Sequence, residues 1–147
     1  MTTTLRINGS DVEVPEGASV LDAVNASGTY ISQLCKDPDM KPIGACRTCI
    51  VQIDGTRGFP ASCSVPAIDG MQVWTDSADV TRVRSGVLEL TQAMVGANGN
   101  GDHRELDIAA RNNGLDGPRW ASREREPVDA SNPIFNIAMQ DCILCGR

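Results

Sequence analysis

The stretch CKDPDMKPIGACRTCIVQIDGTRGFPASC, residues 35–63, carries four of the six cysteines in this 147-residue chain. Their spacing is Cys-x10-Cys-x2-Cys-x13-Cys, over Cys35, Cys46, Cys49 and Cys63. A Cys-x2-Cys pair lets two thiolates of one tight loop face a common centre, and the outer two cysteines close it from either side. Four thiolates suit tetrahedral zinc or an iron–sulfur cluster. Zinc knuckles usually join two symmetrical Cys-x2-Cys pairs, and this stretch has one. The loop PIGACRTC is built of small residues around Gly44, which lets the backbone pass close to the site. Inorganic sulfides need backbone N–H donors, and a small-residue loop wrapped around them supplies these. A [2Fe–2S] cluster is therefore the preferred reading. A zinc-stabilised interaction module without redox chemistry stays as the alternative. Arg47, between two of the cysteines, is assigned an electrostatic role toward a negatively charged cluster. An exposed Arg47 without effect on potential fits the sequence equally.

The flanking sequence predicts a small α+β domain. In TTTLRINGSDVEVPEG, Leu5 and Ile7 alternate with polar residues, as do Val12 and Val14. Asn8-Gly9 between them suits a type I′ hairpin turn, whose central residues both need positive φ. GASVLDAVNASG reads as a short helix. Ser19 and Asp22 form a capping box, Val20, Leu21 and Val24 share a face, and Gly28 ends it. CIVQIDG reads as a strand turning at Asp54-Gly55, and MQVWT as another with Met71 and Val73 on one face. The order is hairpin, helix, cysteine loop, hairpin, strand: a small mixed sheet with a helix across it.

Beyond Thr75, Val80, Val83, Val87, Leu90 and Met94 recur at helical spacing, with Asp76 or Ser77 as N-cap. GANGNGD reads as a flexible break and HRELDIAARNNG as a short helix ending near Asn113-Gly114. The remainder, including PRWASREREP, reads as a solvated and mostly irregular surface segment.

Composition narrows the function. The formal net charge is −6, which argues against nonspecific nucleic-acid binding. No apolar run approaches the roughly 20 residues of a membrane span. The N-terminus lacks the basic end and apolar centre of a signal peptide, so a cytoplasmic location is expected. There, clustered cysteines more often bind metal or do redox chemistry than form disulfides. No dinucleotide fingerprint, phosphate loop or catalytic triad is visible, and His103 is the sole histidine. The reading is an electron carrier without a catalytic site of its own.

On LCKDPDMKPIGACRTCIVQIDGTRGFPASC, VPEGASVLDAV and GMQVWT, the chain resembles the N-terminal [2Fe–2S] ferredoxin-like domain of molybdenum- or tungsten-containing formate dehydrogenase alpha subunits. The G-type subunit of complex I and the iron-only hydrogenases share that domain. The resemblance implies a β-grasp (ubiquitin-like) fold, with Cys35, Cys46, Cys49 and Cys63 as cluster ligands; Gly44 and Arg47, from the loop reading above, are the candidate cofactor-binding residues beside them. PVDASNPIFNIAMQDCILCGR resembles the start of a domain carrying [4Fe–4S] clusters. Cys142 and Cys145 would be half of one such motif, unfilled here, in the front piece of a longer subunit. The implied layout is a ferredoxin-like domain over 1–77, a connecting helix over 78–96, and a linker with the truncated [4Fe–4S] region over 97–147. No cysteine lies between Cys63 and Cys142, so the histidine-ligated [4Fe–4S] cluster of many relatives is not expected. That tilts the resemblance toward formate dehydrogenase. The full-length parent would then add [4Fe–4S] clusters and molybdopterin, and pass electrons to a flavin- and NAD-binding partner subunit. A fragment of complex I or of an NAD-linked hydrogenase G-type subunit is the alternative.

Overall fold

Asn8 and Gly9 both take positive φ, 50° and 86°, in the computed structural model of the chain, so the expected I′ turn forms. It joins β1 (Thr2–Ile7) to β2 (Ser10–Pro15) in an antiparallel pair whose register runs from Thr2–Pro15 to Ile7–Ser10. Alternation along these strands sends Leu5, Ile7 and Val14 inward. The structure describes residues 1–95, 104–122, 124 and 127–145. His103 and the glycine-rich break at 96–102 lie outside them.

Helix α1 (Val20–Ala26) starts with the capping box expected from sequence. The Ser19 amide and hydroxyl donate to Asp22 Oδ2 at 2.8 and 2.7 Å, and the Asp22 amide donates back to Ser19 Oγ at 3.2 Å. Gly28, at φ 74°, ends it. Val20, Leu21, Ala23 and Val24 are buried against the sheet. Each large aliphatic residue so buried contributes on the order of 2 kcal/mol.

The sheet is completed from the far side of the cysteine loop. Strand β3 (Gln52–Ile53) pairs antiparallel with β4 (Gln72–Trp74), and β4 pairs parallel with β1, giving the order β2-β1-β4-β3. Asn8 locks this closure: its side chain donates to Thr75 Oγ1 at 2.8 Å and accepts from the Thr75 amide at 2.9 Å. A four-stranded mixed sheet with one helix across it is the expected α+β, β-grasp architecture. Strand β3 is shorter than CIVQIDG suggests, because Ile50 makes only an isolated bridge to Ala61.

Helix α2 (Ala78–Val95) begins at Ser77, whose hydroxyl accepts from the Val80 amide at 3.5 Å. Its buried stripe is not the expected one. Val80, Arg84 and Leu88, four residues apart, are buried, whereas Leu90 is 51% exposed. The chain divides into two compact units, Met1–Arg84 and Ser85–Arg147, the division falling inside α2. In the second, α3 (Arg104–Asn112) buries Leu106, Ala109 and Ala110 and ends at Gly114, φ 68°. The following segment is irregular but anchored. Arg119 forks onto the buried Glu89 carboxylate, with Nε at 2.8 Å from Oε1 and the terminal nitrogen at 2.6 Å from Oε2.

Candidate metal centre

The 31–50 loop leaves α1 and returns to β3, and short polar side chains hold it in place. Ser32 Oγ donates to the Thr48 carbonyl at 3.1 Å, and the Leu34 amide donates to Thr48 Oγ1 at 3.3 Å. Thr48 is itself fully buried. From the opposite side, both the amide and the hydroxyl of Ser62 donate to the Cys49 carbonyl, at 3.0 and 2.7 Å. Two loops distant in sequence are thereby pinned around the same cysteines.

Gly44 shows how closely they approach. At φ 65° it adopts the left-handed region, and a β-carbon there would stand 3.0 Å from Ser64 Oγ and 3.2 Å from Ala61 Cβ. Arg47 is also left-handed, at φ 57°. Its guanidinium reaches across the site and donates to the Phe59 carbonyl at 2.8 Å.

The four thiols lie close enough to influence one another: Cys35 interacts with Cys46 and Cys63, and Cys49 with Cys63. Cys35, Cys49 and Cys63 are buried and Cys46 is half-buried, and all are free thiols. Backbone amides near the sulfurs favour their thiolates: those of Cys35 and Thr48 at Cys46, that of Cys46 at Cys35, and that of Cys63 at Cys49. Burial pushes the Cys49 thiol up to about 11. Burial also raises Cys35. Cys46 is buried too, yet hydrogen bonds from Thr48 and Cys35 outweigh that cost and bring it below the ordinary thiol value. The Thr48 hydroxyl lies 3.2 Å from Cys46 Sγ.

Among the described residues, no three Cys, His, Asp or Glu side chains gather closely enough around one point to hold a single metal ion. Four thiols that influence one another, in small-residue loops with backbone amides close by, fit a two-iron, two-sulfide group better than a single ion. An open groove of about 460 Å³, bordered by Asp22, Lys36, Lys41 and Ser64, reaches Cys63 from the surface.

Residues 1–78 match the family described as 2Fe-2S iron-sulfur cluster binding domain. The chain belongs to that family. Taken with its tail, this 2Fe-2S domain is 32% identical to the G subunit of the NADH-quinone oxidoreductase of Streptomyces coelicolor, over 98% of the chain and 18% of the relative. The mitochondrial NADH dehydrogenase [ubiquinone] iron-sulfur protein 1 of Solanum tuberosum is 30% identical over 96% of the chain and 20% of its own length. A chain in a crystal structure of an NAD+-reducing [NiFe]-hydrogenase in the H2-reduced state superposes with a TM-score of 0.80 at 32% identity, covering 98% of this chain and 63% of that one. The chain thus spans about a fifth of the length of the curated relatives it matches. These relatives are complex I and hydrogenase subunits, and a formate dehydrogenase parentage is not shown. No helix of the described residues is long and apolar enough to cross a membrane.

Two residues around the candidate site are not singled out by the sequence. Thr48 reads there only as a small residue, although its place between two cysteines ahead of β3 puts a hydroxyl inside the loop. Arg84 is passed over when helix α2 is read by its apolar positions alone. Its guanidinium is buried, 5% exposed, and donates to the carbonyls of Thr48, Ile50 and Thr75 at 3.1, 2.6 and 2.9 Å. Cys142 and Cys145 lie in the second unit, Cys142 exposed and following a short 3₁₀ turn over Met139–Asp141.

Proposed function

We propose that the chain is an electron-relay module of an NAD-linked oxidoreductase, of the complex I or NAD-reducing hydrogenase kind, with Cys35, Cys46, Cys49 and Cys63 as the ligands of its [2Fe–2S] cluster. The observation that carries the assignment is that two loops, pinned together by Ser62 on the Cys49 carbonyl and by the Gly44–Ser64 approach, bring Cys35, Cys46, Cys49 and Cys63 close enough to influence one another. When bound, the cluster supplies one-electron redox chemistry. The chain's own part is to present four thiolates, to exclude water from three of them, and to aim amide dipoles at the sulfurs. Deprotonation of the buried Cys49 thiol is costly in the metal-free chain, and coordination by iron supplies the missing stabilisation of its thiolate.

The relatives support the NADH-linked parent over the formate dehydrogenase one. Electrons would pass between this domain and a flavin- and NAD-binding subunit. The half-buried Cys46 and the groove at Cys63 are the two places where cluster ligands come nearest the surface. In the same reading Cys142 and Cys145 contribute to a further iron–sulfur site in a larger assembly.

Anaerobic purification of the chain should give about two irons and two sulfides per chain. The preparation should be brown-red and bleach with dithionite. Serine at any one of the four cysteines should remove or badly destabilise the colour, because an alkoxide is a far poorer match to iron–sulfur chemistry. A colourless zinc-containing native preparation would sink the proposal. For the parent enzyme, NADH should bleach the cluster only when a flavin-containing partner is present, and formate should not.

A further inference from the structure

Arg84 and Glu89 are the buried charged side chains among the described residues. Glu89 has its counter-charge in Arg119. Arg84 does not: within hydrogen-bond distance it meets three backbone carbonyls, of Thr48, Ile50 and Thr75, and among the described residues no carboxylate forms an ion pair with it. Carbonyls orient a guanidinium and satisfy its protons, but they cannot neutralise it. An arginine keeps its charge at any working pH. A fixed positive charge is therefore held out of water with no anion in direct contact, an arrangement that is costly unless negative charge lies nearby.

Two of the three carbonyls, those of Thr48 and Ile50, belong to the residues on either side of Cys49. Cys49, once it is a thiolate, is close enough to attract Arg84, as is Asp76. We propose that Arg84 is the internal counter-charge of the iron–sulfur centre and holds its reduction potential up. The inference rests on the assignment of Cys49 as a cluster ligand. A four-thiolate cluster is net negative and gains one more negative charge on reduction. A fixed cation behind it stabilises the reduced form more than the oxidised form, and low local dielectric amplifies the difference. Arg84 is in this sense a positioning and electrostatic residue, acting through the backbone that carries a ligand.

The simpler role, a hydrogen-bonded strut between α2 and the ligand loop, makes a different prediction about lysine. Lysine keeps the charge and loses the planar fork, whereas glutamine keeps hydrogen-bonding capacity and loses the charge. The test is an EPR-monitored redox titration of the whole chain, with dithionite as reductant, for wild type, Arg84→Lys, Arg84→Gln and the control Arg82→Gln. Arg82 is an exposed arginine on the same helix, paired with Asp79. We expect Arg84→Gln to shift the reduction equilibrium at least tenfold toward the oxidised form, about 59 mV for one electron. Arg84→Lys should fall between it and wild type, and Arg82→Gln should not move. An unchanged potential in an iron-replete Arg84→Gln chain would overturn the proposal, as would equal shifts for lysine and glutamine. If glutamine loses the iron and lysine keeps it, the charge is required as proposed. If both lose it, Arg84 is a strut and the proposal fails. A wild-type chain with no two-iron centre would instead overturn the ligand assignment on which the inference stands.

Discussion

Gly44 and Ser64 stand so close that a single β-carbon on the glycine would lie 3.0 Å from the serine hydroxyl. The contact joins the loop of Cys46 to the loop of Cys63. Gly44→Ala should add the strain of a left-handed alanine, about 1–2 kcal/mol, and push the two loops apart. The expected result is a chain with clearly less than wild-type iron. Gly58→Ala is the control. It has a similar φ, 78°, but open space around it, so it should carry the backbone strain and keep the iron. Equal iron loss in both variants would show that loop contact is not what matters.

Thr48→Val swaps a buried hydroxyl for a methyl of nearly the same shape. The Leu34 amide loses its acceptor and Cys46 loses its neighbouring hydroxyl. The expected cost is about 1–2 kcal/mol, that of leaving a buried donor unsatisfied. Thr48→Ser keeps the hydroxyl and should recover part of it. Urea unfolding of the metal-free chains measures both, and equal midpoints for valine and wild type would refute the role.

Asp22 gives an acid dependence. Burial raises its carboxyl, but the hydrogen bonds from Ser19 outweigh this and, with Lys36, leave it below the ordinary carboxylate value. The unfolded chain then binds the proton more readily than the folded one, so stability from the capping box is present above the unfolded value, about pH 4. It is lost as pH falls through the lower folded value. Asp22→Asn should cost about 1 kcal/mol at pH 7 and less at pH 3. A pH-independent difference would refute the assignment.

Arg119→Ala removes the guanidinium that forks onto the buried Glu89 carboxylate. Amide exchange should speed up in α2 after residue 85 and in the 115–122 segment. The same measurement on residues 2–15 should show no change. A variant that exchanges like wild type throughout would mean that the fork contributes nothing to order in the second unit.

The local features are legible in the sequence because their chemistry is local. Asn8-Gly9, the Ser19–Asp22 box and the Gly28 stop each depend on residues within four positions, and the structure contains all three. The α2 face is not, because apolar periodicity has no means of choosing Arg84 over Val83. Arg84 is held by the Thr48 and Ile50 carbonyls, 36 and 34 residues away, together with that of Thr75. Arg119 reads as part of a solvated charge run for the same reason, since Glu89 is 30 residues distant. At the candidate centre, cysteine spacing names the thiols, and only the folded loops show the Thr48 and Ser62 hydrogen bonds that hold them near one another.

The parallel register of β1 with β4 sets an order of events during synthesis. Strand β1 emerges first from the ribosome, yet its second neighbour is not made until residues 72–74. All four candidate ligands lie between these two strands, so every cysteine of the set exists before the sheet can close. A growing chain therefore offers the thiols as a loose tether, open to whatever delivers iron and sulfide. Closure of β4 against β1, locked by Asn8 and Thr75, is the step after which Cys35 and Cys49 are buried, leaving a carrier that arrives late only the half-buried Cys46 and the groove at Cys63.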